Sequence, residues 1–256
     1  MSDKKQQPSR RKKIISRIIT MVSLSVFVYS VYALGSIFYD YYHNRQVLAE
    51  VQDIYETIEV PENVTYGEFR SQFYDLHEIN EDIVGWITIN DTKIDYPILQ
   101  AEDNDYYLNR NYKREDTPAG SIFMDYRNNV AEENRNTIVY GHRMKDDTMF
   151  NSLTKYLDED FLKDHQTVSY DTMYGSYDAE VFAAYYTTTE FDYIQTEFAS
   201  DQEYGDFLQE VQEKSEIETD FDVGEEDEIV TLSTCDYTLD PDEGRLVVHA
   251  KVVNKQ

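Results

Sequence analysis

Two stretches decide the fold of this chain: IVTLSTC at residues 229–235, and RLVVHAKVV at residues 245–253. In both, apolar and other side chains alternate with the period of two that is typical of a β-strand. One face of the first stretch carries hydroxyls and a thiol, from Thr231, Ser233 and Cys235. Only nine residues join the two stretches, so we expect a hairpin-like pair of strands.

Short runs of this kind recur upstream, separated by turn residues. We predict eight strands, at residues 84–89, 93–100, 120–126, 137–142, 167–171, 179–187, 228–235 and 245–253. Helical segments interrupt them at residues 148–165 and 200–215, and Ser200 followed by Glu203 fits a capping box. The pattern predicts a mainly β domain with added helices, either a barrel or a sandwich.

Helical spacing of apolar residues precedes the strands. The first set consists of Val51, Ile54, Tyr55 and Ile58, and it ends before Pro61. The second set follows Pro61 and consists of Phe69, Phe73, Leu76 and Ile79. These sets predict a helical stalk or N-terminal helices packed on the main domain.

An uncharged run covers residues 18–39 near the N-terminus. As a helix it spans about 33 Å, enough to cross a bilayer. A cleaved signal peptide is the alternative, but this run is longer than a signal peptide's apolar region, so we favour an uncleaved anchor. Seven basic residues precede the run, which places the N-terminus in the cytoplasm.

The chain therefore divides into four predicted segments. A cytoplasmic basic tail covers residues 1–17, the transmembrane anchor 18–39, a helical stalk 40–65, and an extracellular domain 66–256. At 256 residues the chain has room for one well-buried domain with attachments, and not for two large ones.

Charge and cysteine content exclude some classes of protein. The chain has 51 acidic and 23 basic residues, and a net charge of −28. Because seven of the bases lie in the tail, the rest is more acidic still and would repel the phosphates of a nucleic acid. With one cysteine, no intrachain disulfide can form.

Three residues are candidates for chemistry, although each has an ordinary alternative. Cys235 lies on the hydroxyl face, but a lone cysteine is more often a buried, inert thiol. His142 closes a predicted strand, either at the rim of a cleft or on an exposed loop. Arg245 opens the last strand, where a surface arginine is the alternative.

Together the three residue types suit acyl transfer. A thiolate attacks an amide carbonyl, a guanidinium stabilises the oxyanion, and an imidazolium protonates the departing amine.

Several segments, in order over about residues 65–253, resemble those of class B sortases. TLSTC (231–235) followed by RLVVHAK (245–251) resembles their active-site strands, and YGHRMKD (140–146) with TMF (148–150) resembles their histidine segment. Further matches are VGWI (84–87), IDYP (94–97), NDYYL (104–108) and GSIFMDYR (120–127).

This resemblance implies a closed eight-stranded sortase β-barrel with N-terminal helices, and a cysteine transpeptidase with a ping-pong reaction. Such an enzyme cleaves a C-terminal sorting motif of a secreted protein at Thr, forms a thioester, and transfers the acyl group to an amine. The amine belongs to a peptidoglycan precursor of a Gram-positive cell wall or to a pilin lysine. The expected location is the cell membrane, with a single span and the catalytic domain outside.

The resemblance also implies roles for individual residues. Cys235, His142 and Arg245 match the catalytic set, and substrate-binding positions are matched by Ser233, Thr234, Asn104, Tyr193 and Ile194. Asp236 departs from the family, where Glu often follows the nucleophile, so its role stays open. His249 matches a residue of the last strand and looks structural. We expect no cofactor and no required metal, because the acidic residues at 240–243 lack an EF-hand pattern.

Two other functions stay open at this point. A membrane-anchored cysteine peptidase would hydrolyse the same thioester with water, and a non-catalytic surface-binding domain would not need the thiol. The sequence does not identify the sorting motif, the accepting amine or the oligomeric state.

Overall fold

The structure is a computed structural model that describes residues 10–57, 70–236 and 238–255. The chain forms two compact units, Met1–Gln46 and Val47–Gln256. The predicted helical positions Ile58 and Phe69 lie outside the described residues. The predicted boundaries at 17, 39 and 65 stay predictions.

The described part of the first unit is helical. Helix α1 is Arg10–Thr57, and it contains the whole predicted anchor. Apolar side chains on the anchor are exposed, among them Phe27 at 64% and Phe38 at 71%. Within the described residues, α1 is the one helix that is long and apolar enough to cross a membrane, judged by length and composition.

The second unit begins with the last turns of α1. There the Tyr55 ring stacks on Trp86, with 4.0 Å between ring centroids, and its hydroxyl donates to Asp171. Arg70 donates to the same carboxylate. A short 3-10 helix, Ser71–Phe73, and α2, Tyr74–Ile79, follow and bury Phe73 and Leu76. Ile79, predicted to pack with them, is 42% exposed.

Eight strands form a closed barrel, which confirms the barrel prediction over the sandwich. They are β1 Ile83–Thr88, β2 Asp95–Leu99, β3 Ile122–Met124, β4 Asn136–Tyr140, β5 Thr167–Thr172, β6 Ser176–Thr188, β7 Ile229–Cys235 and β8 Gly244–Lys255. Their order around the barrel is β1-β2-β3-β4-β7-β8-β6-β5. The pairs β2/β3 and β4/β7 are parallel, and the other pairs are antiparallel.

The side chains of β7 and β8 alternate between two apolar layers. Val230 and Leu232 join the apolar interior of the barrel. Ile229 and Val247 face outward, and with Phe207 of helix α4 they belong to a second apolar cluster. Helix α4, Asp201–Lys214, thus covers the outer side of the strands that carry the candidate residues.

The two helical predictions have different outcomes. Ser200 caps α4 by accepting a hydrogen bond from the Glu203 amide, although the Glu203 carboxylate bonds to Ala199. The single helix predicted for residues 148–165 is wrong. Two shorter helices occupy this segment instead. The first is a 3-10 helix, Phe150–Leu157, and the second is α3, Glu159–Asp164. Asp158 caps α3 by accepting hydrogen bonds from two amides of its first turn.

His249 of β8 is fully buried in a polar network between the barrel and α4. The Thr231 hydroxyl donates to Asn136 Oδ1 (2.6 Å) and therefore accepts from His249 Nδ1–H (2.8 Å). The other nitrogen, Nε2, accepts from the Tyr185 hydroxyl (2.8 Å). Burial lowers the pKa of His249 to about 3, so the ring is held neutral.

We expect this imidazole to make the stability of the fold depend on pH. Below its usual pKa of 6.5 the unfolded chain takes up a proton that the folded chain does not, so stability falls as the pH falls from 6.5 toward about 3. This loss of stability amounts to about 1.4 kcal/mol per pH unit. The free energy of unfolding of the full chain in detergent can be measured with denaturant between about pH 6 and pH 5. The slope of this free energy against pH should be smaller by that amount in His249→Asn than in the wild type. Equal slopes in the two proteins would contradict the assignment.

Candidate active site

Strand pairing brings the three candidate residues together. Strand β7 lies between β4 and β8, and Cys235 at its end is directly opposite Arg245. On the other side Tyr140 is opposite Ser233, and the Gly141 amide extends the ladder by donating to the Ser233 carbonyl (3.1 Å). His142 and Cys235 are each two residues beyond that last pair, and both line the same cavity. Cys235 is therefore on the strand that lies between β8, which carries Arg245, and β4, which His142 follows.

A cavity of about 250 Å³ opens at this end of the barrel. All eight predicted site residues line it: Cys235, His142, Arg245, Ser233, Thr234, Asn104, Tyr193 and Ile194. A larger hollow of about 890 Å³ lies beside α3, α4 and β6, and its lining contains none of these residues. The smaller cavity is therefore the candidate site.

The His142 ring is oriented by a backbone carbonyl. Its Nε2 is 2.7 Å from the Leu108 oxygen, and because a carbonyl only accepts, Nε2 carries a hydrogen. The exchangeable proton then belongs to Nδ1. The His142 carbonyl accepts from the Phe150 amide, which holds the main chain as well. Leu108 was not a predicted site residue, since a main-chain contact leaves no trace in side-chain patterns.

Gly141 allows this strand end to approach its neighbours. A Cβ atom at this position would lie 2.4 Å from the Ile122 side chain and 2.8 Å from the Phe150 ring. The absence of a side chain therefore lets the backbone before His142 lie against the barrel.

Cys235 and Arg245 are both partly exposed, and the main chain around them is tightly fixed. The Asp236 amide donates to the Gly244 carbonyl (3.0 Å), which continues the β7/β8 ladder past the cysteine. A Cβ at Gly244 would lie 2.1 Å from the Asp236 oxygen, so glycine permits this closure of the strand pair. Arg245 Nη1 donates to the Gly244 carbonyl (2.9 Å), which anchors the guanidinium at the cavity.

The predicted substrate-binding residues differ in what they can offer a ligand. The Ser233 hydroxyl is buried and bonded to the Tyr193 hydroxyl (2.9 Å). Burial raises the pKa of Tyr193, against the opposing effects of this hydrogen bond and of the Arg245 charge. Thr234 is also buried, and within the described part of the chain its hydroxyl has no hydrogen-bond partner. Asn104 and Ile194 are partly exposed and are the more accessible of the set.

Asp236 is linked to Arg143, and not to His142. Its carboxylate is buried at 1% exposure, forms an ion pair with the Arg143 guanidinium, and accepts from the Thr238 amide (2.7 Å). Arg143 directly follows His142, and Asp236 directly follows Cys235. The ion pair therefore joins the two chain segments that carry the candidate acid–base and nucleophile. The pair was not predicted, although the sequence carries a signal for it, since opposite charges stand at the same offset from both residues.

No cluster of three or more His, Cys, Asp or Glu side chains suited to a metal ion occurs in residues 10–57, 70–236 and 238–255. The absence of a required metal or cofactor stays a prediction.

The chain is similar to known proteins of one family. A family model described as Sortase domain matches residues 87–253. Sortase B of Listeria monocytogenes is 46% identical over 244 residues, which cover 95% of this chain and 99% of the relative. A crystal structure of sortase B from B. anthracis in complex with AAEK1 has a TM-score of 0.78 and 58% identity, covering 85% of this chain and 99% of that chain. A Staphylococcus aureus sortase B–substrate complex has a TM-score of 0.76 and 40% identity, covering 83% and 97%.

The contribution of the Arg143–Asp236 ion pair to the stability of the fold can be tested by substitution. We expect Arg143→Ala and Asp236→Ala each to destabilise the fold, because each leaves one charge without its partner. In a double-mutant cycle on the free energy of unfolding, the two changes should couple by about 1 kcal/mol, a value limited by the 32% exposure of the Arg143 side chain. Additive effects, within about 0.3 kcal/mol, would show that the contact does not bind the two segments together.

Proposed function

This chain belongs to the sortase family and is a cysteine transpeptidase of class B; on that premise we propose that Cys235, His142 and Arg245 carry out its reaction. The sequence-based prediction of family and reaction class is thereby confirmed. The roles of individual residues, the substrates, the acceptor and the membrane topology are the proposal. The observation that carries it is the register of β4, β7 and β8, which brings the three side chains to one cavity.

In the acylation step, the Cys235 thiolate attacks the carbonyl carbon of a Thr in the sorting motif. The oxyanion that forms is stabilised by Arg245, whose planar guanidinium stays charged and donates parallel hydrogen bonds. His142 donates the proton on Nδ1 to the departing amine as the C–N bond breaks. The products are a thioester on Cys235 and the released C-terminal peptide.

In the transfer step, an amine attacks the thioester carbonyl. Neutral His142 takes a proton from the attacking amine, the C–S bond breaks, and the thiolate is regenerated with a new amide bond. Sorting motifs of secreted proteins are the proposed donors. An amine of a peptidoglycan precursor or a pilin lysine is the proposed acceptor. The Staphylococcus aureus sortase B has been solved as a substrate complex, which supports a substrate-binding site in this chain as well.

The proposed binding roles follow the cavity lining. Asn104 and Ile194, which are partly exposed, contact the donor peptide directly. Ser233, Thr234 and Tyr193 form the buried base of the cavity, where they shape the space beside the thiol.

We expect the reaction to depend on the three residues and on an added amine. The full chain in detergent is incubated with a library of fluorogenic peptides that carry Thr at a fixed position, with and without triglycine or Nα-acetyl-lysine amide. Mass spectrometry should show slow hydrolysis alone, and a peptide–amine adduct when the amine is present. Cys235→Ala should abolish conversion, and His142→Ala and Arg245→Ala should slow it at least about 100-fold.

Two outcomes would contradict this reaction. Hydrolysis product alone with every amine would favour a peptidase, and conversion by Cys235→Ala would exclude the thiol as nucleophile. His165→Ala is a matched control, because His165 is a partly exposed histidine outside the cavity lining. That variant should convert the peptide at the wild-type rate.

We further propose that α1 anchors the enzyme with its N-terminus in the cytoplasm and the catalytic domain outside. The support is the uncharged run at residues 18–39 with seven basic residues before it. An anchored site gains effective concentration toward membrane-linked acceptors.

The single cysteine provides a direct test of this orientation. A membrane-impermeant maleimide should label Cys235 in intact cells that express the full chain. A cysteine placed in the tail by Ser2→Cys, in the Cys235→Ala background, should be labelled only after the membrane is permeabilised. The reverse labelling pattern would overturn the orientation.

A further inference from the structure

Asp125 is a buried carboxylate on which several hydrogen bonds converge. It directly follows β3, its exposure is 0%, and it is not among the residues that line the cavity. Its Oδ2 accepts from Asn104 Nδ2 (2.9 Å), the Tyr140 hydroxyl (2.8 Å) and Arg127 Nη2 (2.8 Å). Its Oδ1 accepts from the Arg127 amide (3.0 Å) and Nε (2.8 Å). Five donors therefore occupy one carboxylate.

The donors belong to separate segments of the cavity wall. Asn104 is on the loop after β2, and Tyr140 is the last residue of β4; both line the cavity. Arg127 Nη2 also donates to the carbonyl of Ile194 (3.0 Å), which lines the cavity from the loop after β6. Asp125 thus connects three parts of the wall that are distant in the sequence.

The charge of this carboxylate makes the arrangement specific. Burial alone would favour the neutral form, but the hydrogen bonds from Arg127, Tyr140 and Asn104 hold the pKa of Asp125 below its usual range. Charge-assisted hydrogen bonds are stronger and shorter than neutral ones, and a buried carboxylate is costly without its partners. The wall segments are therefore held in the geometry that satisfies Asp125.

Asn104 shows what this geometry does for a ligand. Its Nδ2 donates to Asp125, and its Oδ1 accepts from the Tyr126 amide (3.1 Å), so the orientation of the side-chain amide is fixed. One N–H and one oxygen lone pair remain beyond these two contacts. They form a donor–acceptor pair of the kind that an extended peptide backbone needs.

We propose that Asp125 is a positioning residue for the donor peptide, which it never touches, and that it acts by fixing Asn104, Tyr140 and, through Arg127, the Ile194 segment. This role rests on the proposed function, since it concerns binding of the sorting peptide in the same cavity. It predicts a loss of peptide affinity without a change in the reactivity of the thiol.

The test uses the full chain in detergent and one peptide from the Thr-containing library that the wild type converts. Fluorescence anisotropy measures its Kd in the Cys235→Ala background, where no chemistry occurs. We expect Asp125→Asn to raise the Kd about tenfold, the order expected for loss of one or two positioned hydrogen bonds. With Cys235 restored, the rate of thiol alkylation by iodoacetamide should not change.

A double-mutant cycle identifies the route of the effect. Because Asn104 is the Asp125 partner with free polar groups for a peptide, we expect it to carry most of the effect, so Asp125→Asn should raise the Kd less than about threefold in an Asn104→Ala background. Asp116→Asn is the matched control, because it removes the same charge from a side chain that is 89% exposed, and its Kd should equal that of the parent.

Arg127→Gln provides a second variant if Asp125→Asn does not fold. It removes the paired contact to Asp125 and the bond to Ile194 at a side chain that is 34% exposed, and we expect a Kd increase of about fivefold. A folded Asp125→Asn protein with unchanged Kd, an equal effect in the Asn104→Ala background, or an unchanged Kd in Arg127→Gln would overturn the positioning role. Because the wild type and Cys235→Ala test conversion separately, any of these results would leave the proposed function standing.

Discussion

The pairing of β7 with two different partners is the constraint on which the site depends. Parallel pairing with β4 brings the segment that carries His142 to the cavity that Cys235 lines, and antiparallel pairing with β8 places Arg245 opposite Cys235. A slip of one residue in either pair would turn the candidate side chain to the opposite face of the sheet. The closed barrel prevents such slips, because every strand is hydrogen-bonded on both sides and has its apolar face in the interior. The proposed reaction therefore depends on the strand register of β7, and the packing of the whole core maintains that register.

Polar contacts complete what the register begins. Backbone carbonyls orient the His142 ring and the Arg245 guanidinium, and the Arg143–Asp236 pair connects the segments behind the histidine and the cysteine. Asp125 connects three segments of the cavity wall that are distant in the sequence. These groups are buried or half-buried, where hydrogen bonds to charged groups are each worth about 1.5–3 kcal/mol and are costly to break singly. The candidate side chains are therefore held in place before a substrate arrives, which is what the proposed electrostatic catalysis requires.

Local patterns in the sequence predicted the eight strands, and in β7 and β8 the structure shows the alternation between the barrel interior and an outer layer. They did not predict the break at Asp158, where one side chain starts a new helix that periodicity alone treats as continuous. Cys235, His142 and Arg245 were predicted from residue type, position at strand ends and family resemblance, and the structure brings them to one cavity. The Leu108 carbonyl and the Asp125 network were not found, since they depend on main-chain direction and on contacts between residues far apart in the chain. Such contacts are properties of the closed barrel.

In the proposed reaction, the Cys235 sulfur carries the acyl group between donor and acceptor. The most direct measurement is rapid acid quenching of the full chain with a Thr-containing peptide and no amine, followed by mass spectrometry of the digested protein. We expect the mass of the peptide up to and including its Thr to be attached to the fragment that contains Cys235, and to disappear when an amine is added before the quench. Conversion of the peptide without such an adduct, or with the adduct on another residue, would contradict the account.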